Sequence, residues 1–567
     1  MPAVRSERGA PLVWFLVAAA APLGFLAKRI PLDLWYDEVY TLVHFVHRPW
    51  TEIVLDYSAP NNHIAYSLLL RPLWLLGAQP LELRLFSYLL AVVTLLLVFV
   101  LAWRLAGREV AVWSTALLGL SQMYLVHAIQ VRGYGLSMLL VTALANLAMA
   151  ATSTLGAWTR APRQTDAPSK LNNQLPSAGA PPLSPELRCW WWRTAGIVAA
   201  VTFALYAIPT NVLFVVPLAT WSIGRAWRRC GALGAAIESA PWLAGLLLAV
   251  MLYLPVIGQL RSHAVGPARP SLDGMLQLAG DFLWAAGHDA WPLAPLAVLG
   301  LIAWLVGSRK AAGSDVVSLV SVVVVGPFVI AWARGISPFL RNFCPLLPML
   351  AVGMAWLALV ATDAVAQRFF ARTIRGTLWA PIAGLVLMLA VFAPPLLSYP
   401  ARLTALREQQ GAVQDGYFNY YAADFEPARV ADVLSPLVQD EPNFHIAYDD
   451  ADYYNLVYYL IAEGIAAPPP PENPSQPPAP GYLYVVLSPK PNLTRLQARI
   501  AIPADQWTRW PEVARVGYYR VLRSPERRSL VELQKSAPPP PPPPTTEPIE
   551  PFAPSFGAEI KRLPDAR

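Results

Sequence analysis

The sequence predicts a polytopic α-helical membrane protein: about 11 transmembrane helices, surface helices in the first outer loop, and a small C-terminal extracytoplasmic α/β domain. Three observations carry this expectation. Apolar runs of spanning length recur along the first 395 residues. Only 14% of the 567 residues are charged, against 55% hydrophobic, and the mean hydropathy is +0.41. A soluble domain carries nearly twice that share of charge. Third, the positive charges fall in alternate loops, as they do in proteins threaded through a bilayer.

The expected spans are 11–28, 84–103, 110–127, 133–151, 194–210, 211–227, 241–260, 293–307, 315–333, 344–361 and 377–396. The first follows Arg5 and Arg8 and precedes Lys28-Arg29, so it reads as an uncleaved span rather than a signal peptide. With the N-terminus cytoplasmic, every inner loop is basic. These loops hold Arg104 and Arg108; then Arg160, Arg163, Lys170, Arg188 and Arg193; then Arg225, Arg228 and Arg229; then Arg309 and Lys310; and last Arg368, Arg372 and Arg375. The net charge of +7 is thereby accounted for without nucleic acid.

The domain expectation follows. Residues 1–396 form the transmembrane domain, in which 29–83 is a long outer loop and 152–193, rich in Pro, Ser and Asn, is a disordered cytoplasmic insertion. Within 29–83, the patches 40–55 and 65–76 are too short or too interrupted to span, and read as helices lying along the surface. A second outer loop covers 261–292. Ordinary charge density and short strand-like runs such as Tyr482-Leu483-Tyr484-Val485-Val486-Leu487 mark 397–535 as an extracytoplasmic soluble domain. The tail, 536–567, opens with seven prolines from Pro538 to Pro544 and is expected to be extended.

Chemistry is most legible at the outer surface. Trp35-Tyr36-Asp37-Glu38 comes just after the first span, and Asn61-Asn62-His63 about 25 residues later. Acids and a histidine where lipid meets water are costly to keep for packing alone. A carboxylate there can accept a proton from a hydroxyl, and a nearby cation can hold a departing phosphate. Asp37 and Glu38 would equally suit the start of a helix, and His63 a wet surface. Arg84 reads as an anchor at a span end, whereas Arg132, followed by Gly133 and Tyr134, and Arg341, which runs against the positive-inside trend, read as functional. Cys189, Cys230 and Cys344 have no metal-like spacing, and neither a metal nor a cofactor is expected. The tyrosines of the outer domain, Tyr417 to Tyr459, fit a domain core.

Taken in order, these segments resemble the GT-C superfamily of membrane glycosyltransferases, in its protein O-mannosyltransferase and aminoarabinose transferase-like branch. The residues are Trp35-Tyr36-Asp37-Glu38, Asn62-His63 with Tyr66 and Leu68 to Trp74, Arg84-Leu85-Phe86-Ser87, Gln130-Val131-Arg132-Gly133-Tyr134, and Arg341-Asn342-Phe343-Cys344-Pro345-Leu346-Leu347-Pro348. The resemblance implies inverting transfer of a sugar from a polyprenyl-phosphate donor to a glycan, lipid or protein acceptor at the extracytoplasmic face of a bacterial inner membrane. It also implies Asp37 as general base, Glu38 beside it in the catalytic pair, and Asn62, His63, Arg132, Tyr134 and Arg341 as substrate-binding residues. Gln130, Gly133 and Asn342 depart from the family pattern, which has Glu, a bulkier residue and Tyr at these positions. A transporter or flippase of lipid-linked sugars is the alternative. It would place charge near the bilayer midplane and repeat its halves, and neither is evident here.

Overall fold

The computed structural model describes residues 10–160, 185–370 and 427–527, with short breaks that include 265–270, 288–293, 307–310, 449–455, 461–479 and 488–503. The expected eleventh span at 377–396, residues 161–184 of the insertion and the tail 536–567 lie outside the described residues. Two compact units emerge. One comprises Met1–Ile30, Trp50–Leu69 and Arg84–Leu396; the other comprises Pro31–Pro49, Leu70–Leu83 and Leu397–Arg567.

The first unit is helical. Its long elements are α1 (Ala10–Ala27), α5 (Pro80–Ala106), α6 (Arg108–Leu120), α8 (Gly133–Arg160), α9 (Pro185–Ala207), α10 (Val212–Tyr253), α13 (Ala294–Val306), α14 (Ala311–Arg334) and α15 (Leu347–Phe370). Shorter pieces join them: α3 (Trp50–Leu55), α7 (Gln122–His127), α11 (Ile257–Ala264) and α12 (Leu272–Gly287); α4 (Ile64–Leu75) passes into the second unit after Leu69, and α5 leaves it at Arg84. Among the described residues, five helical stretches are long and apolar enough to cross a bilayer: Pro80–Ala106, Gly133–Ala150, Pro209–Ser262, Asp315–Arg334 and Leu340–Val365. α1 and α13 are apolar but shorter.

The third of these stretches is two segments. Gly231 has φ +68° and ψ −164°, a conformation that side-chain-bearing residues avoid, and it folds α10 back on itself. Ser222 Oγ therefore reaches Glu238 Oε1 at 2.5 Å. In a straight helix these two residues would be about 24 Å apart, at 1.5 Å per residue. The expected spans at 211–227 and 241–260 meet at this turn.

Two local expectations needed correction. The span expected at 110–127 breaks at Ser121, whose backbone is extended, leaving α6 and the one-and-a-half-turn α7. The insertion expected to be disordered over 152–193 is helical at both edges, because α8 runs to Arg160 and α9 starts at Pro185. The second outer loop contains α12, an amphipathic 16-residue helix, whose Asp273 and Asp281 made it too polar to read as a span.

The two ends of the apolar stretch of α8, Gly133–Ala150, are chemically different. Toward its later end, Arg193 Nε donates to the Leu147 carbonyl at 2.9 Å and Arg225 Nη1 to that of Met149 at 3.1 Å. Arg193 also pairs with the fully buried Glu238, and Arg225 and Arg229 lie 3.3 and 3.1 Å from Asp315. All of these arginines come from loops expected to share one membrane face. Gly133, at the other end, is about 24 Å away along the helix at 1.5 Å per residue.

The second unit contains α2 (Tyr36–Thr41), a π-helical turn (Leu42–Val46), and α16 (Pro427–Val438) packed on a four-stranded sheet. The strands are β1 (Phe444–Tyr448), β2 (Tyr482–Leu487), β3 (Glu512–Val516) and β4 (Tyr519–Arg523), in spatial order β1-β2-β4-β3. β1 and β2 are parallel, whereas β2–β4 and β3–β4 are antiparallel, with a bulge between Glu512 and Ala514. Val430, Leu434, Tyr484, Val486, Tyr519 and Val521 form its core.

Candidate active site

At the N-terminal end of α8, helix geometry leaves the first backbone N–H groups without an intrahelical acceptor. His63, just before α4, fills one of these vacancies: the Gly133 N–H donates to His63 Nδ1 at 2.8 Å. A nitrogen that accepts cannot carry the proton, so the ring is neutral and its proton sits on Nε2. Burial, with Arg132 and then Arg341 nearby, holds the His63 pKa well below its usual value, which favours the same form. Gly133 permits this approach, since a Cβ there would lie 2.9 Å from both His63 Cβ and Nδ1.

Around this bond the other expected residues gather. Tyr134 meets the His63 ring edge-on at 5.3 Å and the His127 ring at 5.6 Å. The Arg132 guanidinium lies 4.9 Å from the Tyr134 ring centre, close enough for cation–π attraction. Arg341 is carried by a 3₁₀ turn, Leu340–Leu346, that packs on α7 and α8, with its guanidinium 4.9 Å from the Phe339 ring. Arg132, Tyr134 and His63 are all buried. Two guanidiniums and a neutral N–H donor thus share one neighbourhood.

Asn62 works within its own loop. Its amide nitrogen donates to the carbonyls of Ile53 (3.0 Å) and Asp56 (2.6 Å), and its oxygen accepts from Ser67 Oγ at 3.1 Å. It fixes the turn that presents His63. Gln130 faces inward: Nε2 lies 3.2 Å from His127 Nδ1, and its backbone carbonyl accepts from Ser87 Oγ at 2.9 Å. Ser87 in turn contacts the Tyr66 hydroxyl at 2.6 Å.

His127 is a member of this cluster that sequence reasoning missed. Lying three residues before Gln130 at the end of an apolar run, it had the right spacing, but no acidic or basic neighbour drew attention to it. Arg84 needs correction. It is 2% exposed, and Nη1 donates to the Arg29 carbonyl at 3.0 Å, so it closes the end of α1 instead of snorkelling.

Asp37 and Glu38 belong to the second unit, in the first turn of α2, where their charge suits the helix start. They are 7% and 0% exposed. The Asp37 carbonyl accepts from Thr41 Oγ1 at 2.8 Å. Among the described residues, no group of three His, Cys, Asp or Glu side chains is placed to hold a metal ion.

The first unit also has a half-open cavity of about 750 Å³. Its walls are apolar, with Leu117, Leu283, Trp284, Leu350 and Met354 prominent. Ser121 and Leu347 also line it: the first precedes α7, which ends in His127, and the second follows the turn bearing Arg341.

No protein-family model matches the chain, and no curated protein does. Solved structures do show similarity. ArnT from Cupriavidus metallidurans in the apo state aligns over 94% of this chain and 100% of its own, at 14% identity and a TM-score of 0.47. The same protein bound to undecaprenyl phosphate aligns over 91% and 98%, at 14% identity and a TM-score of 0.43. An Archaeoglobus fulgidus oligosaccharyltransferase tethered to an acceptor peptide aligns over 74% of this chain and 59% of its own, at 12% identity and a TM-score of 0.36. What the fold and site define in their own right is a multi-pass helical membrane protein with a buried Arg132 and a half-buried Arg341 near the N-terminal end of α8.

Proposed function

We propose that the chain is a membrane glycosyltransferase that moves a sugar from a polyprenyl-phosphate donor to an acceptor hydroxyl, with inversion, at the extracytoplasmic face. The observation that carries this reading is the convergence of Arg132, Arg341 and a neutral His63 at the end of α8 opposite the inner-loop arginines. The apolar cavity is lined by Leu347, six residues after Arg341 in sequence, and offers room for part of a prenyl chain. A soluble sugar phosphate would have no use for such a cavity.

The chemistry divides by charge. The donor is a phosphodiester with one negative charge, and the prenyl phosphate that leaves carries up to two. As the acceptor oxygen bonds to the anomeric carbon, the bond from that carbon to the phosphate oxygen breaks, and its electron pair goes to the phosphate. Two guanidiniums stabilise this growing charge more than that of the intact donor, so their contribution appears in the rate. His63 adds a hydrogen-bond donor through Nε2 without adding charge. Asp37 takes the acceptor's proton as the hydroxyl attacks, and Glu38 orients the acceptor beside it. Asn62 and Tyr134 are positioning residues in this scheme, for His63 and Arg132 respectively.

The test is incubation of the purified protein with a panel of labelled polyprenyl-phosphate sugars and membrane-extracted acceptors. Conversion of one donor to polyprenyl phosphate supports the reading. Movement of intact lipid-linked sugar across a proteoliposome membrane, with no conversion, would favour a flippase instead.

A further inference from the structure

Sequence places Asp33 and Leu34 four and three residues before Asp37, and more than 390 residues from the sheet-bearing region. Within the second unit they are joined to it directly. The Ala428 N–H donates to Asp33 Oδ2 at 3.0 Å, and the Leu34 N–H donates to the Tyr459 hydroxyl at 2.8 Å.

Both contacts are anchored on the far side. Ala428 is the second residue of α16, whose first-turn N–H groups have no intrahelical acceptor and whose positive dipole end favours a carboxylate. α16 buries Val430, Ala431, Leu434 and Val438 in the core it shares with the sheet. The Tyr459 ring packs against that same core, so its hydroxyl has little freedom. On the near side, α2 begins two residues after Leu34 and is only six residues long, too short to hold its own orientation. Arg71 braces the other end of the segment, donating through Nη1 to the carbonyl of Val46, the last residue of the π-helical turn, at 2.8 Å.

We propose that the C-terminal region is a positioning element for the catalytic carboxylate, acting through Asp33 and Tyr459. The two hydrogen bonds grip the chain on the approach to α2 and so set the direction in which Asp37 and Glu38 project. This rests on the assignment of Asp37 as general base. It gives the extracytoplasmic domain a role in turnover, beyond covering the site or recognising acceptor. A displacement of about 1 Å in a catalytic group can cost as much as 100-fold in rate, so a modest loosening would register.

The experiment uses the full-length protein in lipid nanodiscs, as wild type, Tyr459→Phe, Asp33→Ala and Asp33→Asn. Tyr459→Phe keeps the packed ring and removes the acceptor oxygen. Asp33→Asn keeps an oxygen able to accept from Ala428, and serves as the conservative rescue. Hydrogen exchange over residues 33–41 should quicken in Tyr459→Phe and Asp33→Ala, remain close to wild type in Asp33→Asn, and be unchanged in α8 throughout. With the donor identified by the panel, kcat should fall about tenfold in the first two variants while donor KM stays within about twofold. Unchanged exchange over 33–41 would overturn the grip itself. Faster exchange with wild-type kcat would overturn its catalytic role. A wild-type protein that consumes no donor would overturn the transferase reading, and the exchange arm would then decide the grip alone.

Discussion

Gly133 donates its N–H to His63 Nδ1 across 2.8 Å, and any side chain on Gly133 would start 2.9 Å from that same nitrogen. One glycine therefore both selects the histidine's neutral form and lets the ring approach. Gly133→Ala should drive His63 away from α8. Overpacking of this kind costs about 1–3 kcal/mol. Transfer should fall by more than stability does, measured as donor turnover beside the thermal midpoint in detergent. Equal turnover in the alanine variant would show that the bond has no part in the site.

Arg132 and Tyr134 form the second pairing. The guanidinium lies 4.9 Å from the ring, and a desolvated cation–π contact is worth about 2 kcal/mol. Tyr134→Phe should keep most activity, whereas Tyr134→Leu should lose roughly 10-fold or more, in line with that energy. Arg132→Lys should fall nearer to Arg132→Ala than to wild type, because an ammonium lacks the planar fork that grips phosphate. Donor turnover across the four variants provides the comparison.

The pH dependence has a definite sign. His63 is held neutral in the folded protein, with its pKa below the value near 6.5 that it has when unfolded. The unfolded state thus binds more protons once the pH drops below about 6.5. Stability from this group is complete above that pH and is lost as the pH falls, by up to about 1.4 kcal/mol per pH unit. Thermal midpoints from pH 8 to 5 should decline below 6.5 in the wild type, and less steeply in His63→Gln. Parallel curves would contradict the neutral assignment.

Far from the site, Arg193 and Glu238 form a buried pair, joined by Ser222 Oγ at 2.5 Å from Glu238 Oε1. Removing one partner strands a charge, at about 3–5 kcal/mol. Arg193→Met and Glu238→Gln should each lower the thermal midpoint sharply. The double variant should recover much of the loss, since the pair itself has a small net value.

Much of this architecture was legible in the sequence, for physical reasons. Apolar length and loop charge marked most of the helices, because bilayer thickness and the positive-inside bias act on single segments. His63, Arg132, Tyr134 and Arg341, which the structure brings near one another, stood out because polar residues at membrane ends are few. What stayed hidden depended on partners distant in sequence. Nothing near Arg84 signals that it closes α1 by reaching the Arg29 carbonyl. His127 joins the site through Tyr134 and Gln130, contacts invisible until α7 breaks from α6 at Ser121. The link from Asp33 to Ala428 spans 395 positions, and no local pattern encodes it.

The most direct test is single-turnover transfer by Asp37→Asn, with the donor that the wild-type protein consumes and the variant confirmed as folded. The substitution preserves shape and removes the base. Transfer should be abolished while the phosphate site, read by polyprenyl-phosphate binding, remains intact. Transfer at the wild-type rate by Asp37→Asn would contradict the account.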